Sequence, residues 1–104
     1  MKKIWLALPL AAFVVSAPSF AQTGEELTKT HRCTACHKVD KKSIGPAYQE
    51  IAKKYAGDAG APAVMAERIK KGSRGVWGPA PMTPNANVPD EDLKKIIDYI
   101  MQVK

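Results

Sequence analysis

The apolar positions of the chain fall into helix-spaced stripes separated by polar or proline-rich breaks. Leu93, Ile96, Ile97, Ile100 and Val103 recur on one helical face, with Lys94, Lys95 and Asp98 between them, which predicts an amphipathic helix over 90–103. Pro89 and the acids Asp90, Glu91 and Asp92 mark its start, where the helix dipole favours negative charge. Tyr48, Ile51, Ala52 and Tyr55 form a shorter stripe, predicting a helix over 46–55 with Pro46 at its first position. Val64, Met65 and Ile69 make a third, over 62–71, followed by the stop signal Gly72. A first helix opens at Thr23, whose hydroxyl suits an N-cap ahead of Glu25 and Glu26, and carries Leu27; its expected partner is the last helix. No strand pattern, repeat or second domain is visible, so the expected fold is a single all-α domain of about four short helices.

Ahead of these stripes lies a segment of another kind. Met1-Lys2-Lys3 leads into an apolar run from Ile4 to Val15, and Ser19-Phe20-Ala21 offers small residues at a cleavage position. This is the pattern of a secretory signal peptide, so residues 1–21 are expected to be removed, leaving 22–104 as the domain in the periplasm. The run is short for a membrane span and broken by Pro9 and Pro18, so no stable membrane insertion is expected, an uncleaved anchor being the alternative. Lys2 and Lys3 are two of the sixteen Lys and Arg residues that, against ten acids, give a formal net charge of +6. The charge that remains is modest and forms no basic stripe with interleaved aromatics, which excludes the usual footprint of nucleic-acid binding.

The cysteines bring in chemistry. The two of them stand in Cys33-Thr34-Ala35-Cys36-His37, a C-x-x-C-H pentapeptide with the spacing of a covalent haem attachment site. Positions three apart on a helical turn lie on nearly one face, so both thiols can bond one porphyrin edge while His37 offers an imidazole to the iron. A thioredoxin-like dithiol would need a βαβ setting that is missing here, and a structural zinc site would need two well-separated ligand pairs. His31 stands close by and reads as a solvated imidazole, because the short segment that carries His37 to one face of the ring cannot also reach the other. A domain this small has little core, and a covalently held haem would act as its staple.

The iron's other side needs a ligand from elsewhere. Val76-Trp77-Gly78-Pro79-Ala80-Pro81-Met82-Thr83-Pro84-Asn85 contains three prolines, so it has few conformations to lose and can present Met82 rigidly. A thioether is a soft ligand suited to haem iron opposite histidine. Met65 and Met101 fall within predicted helices, where packing accounts for them; Met65 as ligand, or an open site, stays the alternative. Pro46 is the candidate acceptor for the second ring nitrogen of His37, since ligating histidines are normally held from that side.

These residues also carry a resemblance. Cys33-Thr34-Ala35-Cys36-His37, Gly45-Pro46-Ala47-Tyr48, Arg68-Ile69-Lys70 through Gly72-Ser73, and Gly75-Val76-Trp77-Gly78-Pro79 with Pro81-Met82 and Pro84-Asn85 together resemble a small bacterial class I cytochrome c. The type is that of the c five-fifty-one and five-fifty-two carriers, and the likeness covers essentially all of 22–104. It implies an all-α fold around one covalent haem c with His37 and Met82 as axial ligands. It further implies contacts of Arg68 and the Trp77 indole with a haem propionate, and an approach of the Asn85 amide to the methionine sulfur. The chain departs from the family pattern at Thr83, where proline is usual, at Thr28, where an aromatic is frequent, and at Arg32, where glycine is common. Its 85–89 connection is one residue longer than usual.

The function implied is a monomeric electron carrier rather than an enzyme, with redox proteins as partners. A membrane cytochrome complex would be the donor, and a nitrite reductase, oxidase or peroxidase the acceptor. A haem enzyme or gas sensor with a labile sixth ligand is the alternative.

Overall fold

The computed structural model describes residues 22–104, and the expected signal segment lies outside the described residues. Four α-helices are present, α1 over Gly24–Thr30, α2 over Tyr48–Lys54, α3 over Ala61–Lys71 and α4 over Asp90–Gln102, with a 3-10 turn at Cys33–Ala35 between the first two. Among the described residues there is no sheet, and one isolated antiparallel bridge joins Ser73 to Met82.

α4 is the element on which the others assemble. Leu93, Ile96, Ile97 and Ile100 of its stripe are buried, and α1, α2 and α3 each pack on it rather than on one another. Burial of each such aliphatic side chain is worth roughly 1.5–3 kcal/mol. Leu27 from α1, Tyr48 and Ile51 from α2, and Met65 and Ile69 from α3 complete one continuous core. α1 meets α4 backbone to backbone at Gly24: a Cβ there would lie 2.6 Å from the Cβ of Tyr99 and overlap the Lys95 carbonyl oxygen, so only glycine permits the crossing.

The helix ends follow capping chemistry. Thr23 caps α1 as its sequence suggests, its hydroxyl accepting the Glu26 N–H at 3.2 Å. α2 starts later than its stripe predicts, at Tyr48, with an extended Ala47 before it (φ −63°, ψ 147°). The Pro46 carbonyl is turned outward onto His37, so Pro46 stands ahead of the helix instead of at its first position. α3 begins at Ala61, and Val64, assigned to its apolar stripe, is 41 % exposed. α4 stops at Gln102, leaving Val103 extended.

His31 is not the solvated imidazole that its sequence position suggests. It ends α1, and its Nε2–H donates to Asp92 Oδ2 at 3.0 Å, tying the end of α1 to the first turn of α4. Lys70 and Asp90 make a comparable ion pair from the end of α3 to the start of α4.

Candidate functional site

The two cysteines are delivered by a sharp turn. Arg32 adopts a left-handed conformation (φ 60°, ψ 24°), reversing the chain between α1 and the 3-10 turn. Such a conformation costs an L-residue roughly 1 kcal/mol and glycine almost nothing, which accounts for glycine in the related pattern. Cys36 N–H and His37 N–H both donate to the Cys33 carbonyl, at 3.2 and 2.9 Å, so the thiols stand one turn apart. Both are free and half-buried. Burial pushes the Cys33 thiol up, a backbone hydrogen bond offsets part of the rise, and the neighbouring Cys36 adds to it, so Cys33 is a thiol at neutral pH.

The segment after Cys36 is laced to the segment before α2. Gly45 N–H donates to Cys36 O at 2.8 Å, Tyr48 N–H to Lys38 O at 2.9 Å and Gln49 N–H to Val39 O at 3.0 Å. Within this lacing, His37 Nδ1 lies 2.8 Å from Pro46 O. A carbonyl only accepts, so Nδ1 carries the proton and Nε2 keeps its lone pair for a metal. Gly45 closes on the same ring: a Cβ at this residue would stand 2.5 Å from His37 Cε1 and 2.8 Å from Nδ1. Tyr48 stacks on the imidazole, ring centroids 5.7 Å apart and planes 22° from parallel. Burial pushes the Tyr48 hydroxyl up to about 12. The Thr28 hydroxyl, near enough to temper that rise, donates instead to the Glu25 carbonyl at 2.6 Å, and the Tyr48 hydroxyl has no partner among the described residues.

Met82 is held through its main chain. Gly72, at φ 79° and ψ 171°, turns the chain out of α3 so that Ser73 and Met82 exchange both N–H···O bonds, at 3.1 and 2.9 Å. Only glycine adopts that backbone without strain, and a Cβ there would meet Met82 O at 2.7 Å. Asn85 N–H donates to Ile69 O at 2.8 Å, a second tie of the loop to α3. The Met82 side chain packs against the core that contains Tyr48. The Asn85 amide, expected beside the methionine sulfur, gives its hydrogens to Ile69 O at 3.3 Å and Thr83 O at 3.1 Å. The Thr83 acceptor is its main-chain carbonyl, which any residue at this position would offer.

Arg68 and Trp77 belong to a third group. Arg68 Nη1 donates to the Tyr55 hydroxyl at 2.6 Å, and the Lys54 ammonium sits 4.5 Å from the Trp77 ring centroid and 5.7 Å from that of Tyr55. Trp77 is 38 % exposed and so is not a core aromatic. Two cations and an indole in one corner suit a carboxylate.

The donor set fits a haem c: two adjacent thiols for thioether bonds, an imidazole fixed in the tautomer a metal requires, a thioether, and cations for the propionates. Cys33, Cys36, His37 and Pro46 are brought together as the sequence suggests. Gly45, Tyr48, Lys54 and Tyr55 were not singled out by it as site residues. Gly45 ahead of Pro46 is a signal that could have pointed to a close approach, but a stripe tyrosine and a helix-end lysine carry no signal of what they touch.

Comparison with known proteins places this arrangement among relatives. The family model described as cytochrome c matches residues 21–104. Cytochrome c-552 of Nitrosomonas europaea is 44 % identical over 104 residues, spanning 100 % of both chains. Cytochrome c2 of Rubrivivax gelatinosus is 54 % identical over 82 residues, covering 77 % of this chain and 96 % of the relative. The crystal structure of wild-type Nitrosomonas europaea cytochrome c552 matches with a TM-score of 0.74 at 48 % identity, over 77 % of this chain and 99 % of that one.

Proposed function

The chain belongs to the cytochrome c family and is an electron carrier built on haem c, and from that premise we propose that His37 and Met82 are the axial ligands of its iron. The observation that carries this reading is the bond between His37 Nδ1 and Pro46 O, which leaves Nε2 as the ring's metal donor on the very turn that bears both thiols. When bound, the haem supplies a one-electron Fe(III)/Fe(II) couple. The residues supply the rest. Cys33 and Cys36 fix the ring's edge, the Pro46 carbonyl orients His37, and the Ser73 bridge holds the backbone of Met82. Arg68 and Trp77 offer donors to the propionates, with Asn85 acting on the methionine loop through backbone carbonyls. Filling both axial positions favours electron transfer over chemistry at the iron.

The protein exchanges electrons with other redox proteins. We place it in the periplasm as a monomer after removal of residues 1–21, and no described helix is long and apolar enough to cross a membrane. A membrane cytochrome complex is the proposed donor, and a nitrite reductase, oxidase or peroxidase the acceptor. Lys38, Lys41 and Lys42, exposed beside the haem-binding turn, together with Lys70 and Lys71, which pair with Asp90 and Glu67, would steer an acidic partner.

Absorption spectra of the holoprotein in both redox states test the ligand set. The ferric protein should show a methionine-to-iron charge-transfer band, and Met82→Ala should abolish it and open the reduced form to carbon monoxide. A Met82→Ala protein with the native ferric spectrum would overturn the assignment.

A further inference from the structure

Tyr48 lies on the apolar stripe of α2, and burial alone would explain an aromatic there. Its surroundings ask for more. On one side its ring is nearly parallel to the His37 imidazole, at 5.7 Å and 22°; on another, Tyr99 of α4 meets it edge-on, at 6.0 Å and 79°. Its own N–H donates to the carbonyl of Lys38, the residue following His37, so backbone and ring both bear on the histidine segment. The hydroxyl has no hydrogen-bond partner among the described residues, and an unsatisfied buried hydroxyl is a cost rather than a gain, which makes the flat ring the part that acts.

The bond from His37 Nδ1 to Pro46 O fixes where one ring atom sits. It leaves the imidazole plane some room to turn, because a hydrogen bond tolerates misalignment and weakens steeply only below about 120°. A stacked neighbour restricts that turn, and Gly45 narrows it further by leaving no space for a displaced ring.

We propose that Tyr48 is a positioning residue that sets the plane of the His37 imidazole, and so the direction in which its π system meets the iron. This rests on His37 as an axial ligand. Tyr48 in turn is held by Tyr99, so α4, though remote in sequence, fixes the ligand plane through two rings.

The test uses ferric holoprotein in excess cyanide. Cyanide is axially symmetric, so once it replaces the sixth ligand the spread of the haem methyl resonances in the proton NMR spectrum reports the imidazole plane alone. Tyr48→Phe keeps the stacked ring and should reproduce the wild-type pattern. Tyr48→Leu removes the flat face and should move the methyl resonances by several parts per million, with far-UV circular dichroism unchanged. Where leucine costs the fold, Tyr48→Met, whose flexible chain fills the same space without a plane, is read in the same way. An unchanged pattern in the leucine or methionine variant would overturn the proposal, as would a phenylalanine variant that departs as far as they do. Failure of the ligand assignment itself is distinct, because the wild-type cyanide adduct would then lack the low-spin spectrum of an imidazole-bound iron.

Discussion

On the His37 side, the side chain itself is gripped: Pro46 O takes its proton, Gly45 lies against its edge and Tyr48 covers it, while three main-chain bonds join the segments around it. On the Met82 side, the Ser73 bridge and the Asn85 tie hold the backbone, and among the described residues the thioether is held by packing. An imidazole held by a hydrogen bond, a stacked ring and a close glycine is oriented before any metal arrives, whereas a thioether, with no donor and three soft torsions, would take its final orientation from a metal bond. With His37 and Met82 as the proposed ligands, one half of the site is preorganised and the other is left for the cofactor to complete, and the weaker link to the iron should be the methionine.

A glycine stands at each half, and replacing each probes the contrast. Gly72→Ala should have the largest effect. Left-handed strain costs about 1–3 kcal/mol, and the overlap with Met82 O adds to it. The expected outcome is a lowered thermal midpoint, with the methionine charge-transfer band lost well before the helical signal.

Gly45→Ala comes next. The new Cβ presses on the His37 ring, an overpacking that costs about 1–3 kcal/mol, with no φ strain to add. The methionine band should survive while the reduction potential shifts. If this variant weakened the methionine bond as much as Gly72→Ala does, the two halves would not be independent.

Asn85→Ala should do least, removing two long side-chain hydrogen bonds to Ile69 O and Thr83 O at a cost of about 1 kcal/mol. Its denaturant midpoint should fall slightly when followed at the methionine band. A still smaller change at the haem-attachment end would sharpen the comparison, and an equal one would blunt it.

Much of this contrast could be read from the chain. The stripe from Leu93 to Ile100 gave α4, and the pentapeptide with the proline-held Met82 gave the site's main parts, because periodicity and motif spacing are local properties. Contacts between distant residues left no such trace. His31 meets Asp92 across 61 residues, and no local pattern announces it. Tyr48 looked like core, since a stripe tells which face is buried but not against what. The Asn85 amide donates to the Ile69 and Thr83 carbonyls, contacts that its residue type alone does not announce.

The close crossing of α1 and α4 at Gly24 bears on the order of events when the chain folds. In a chain exported before it folds, the surface that α1 needs for burial comes from the last helix, and the loop to be closed between them is long. Until α4 packs, both thiols stand on a segment without its helical partner, open to the chemistry that bonds them to the porphyrin, and the packing of α4 closes the fold beside the attachment turn.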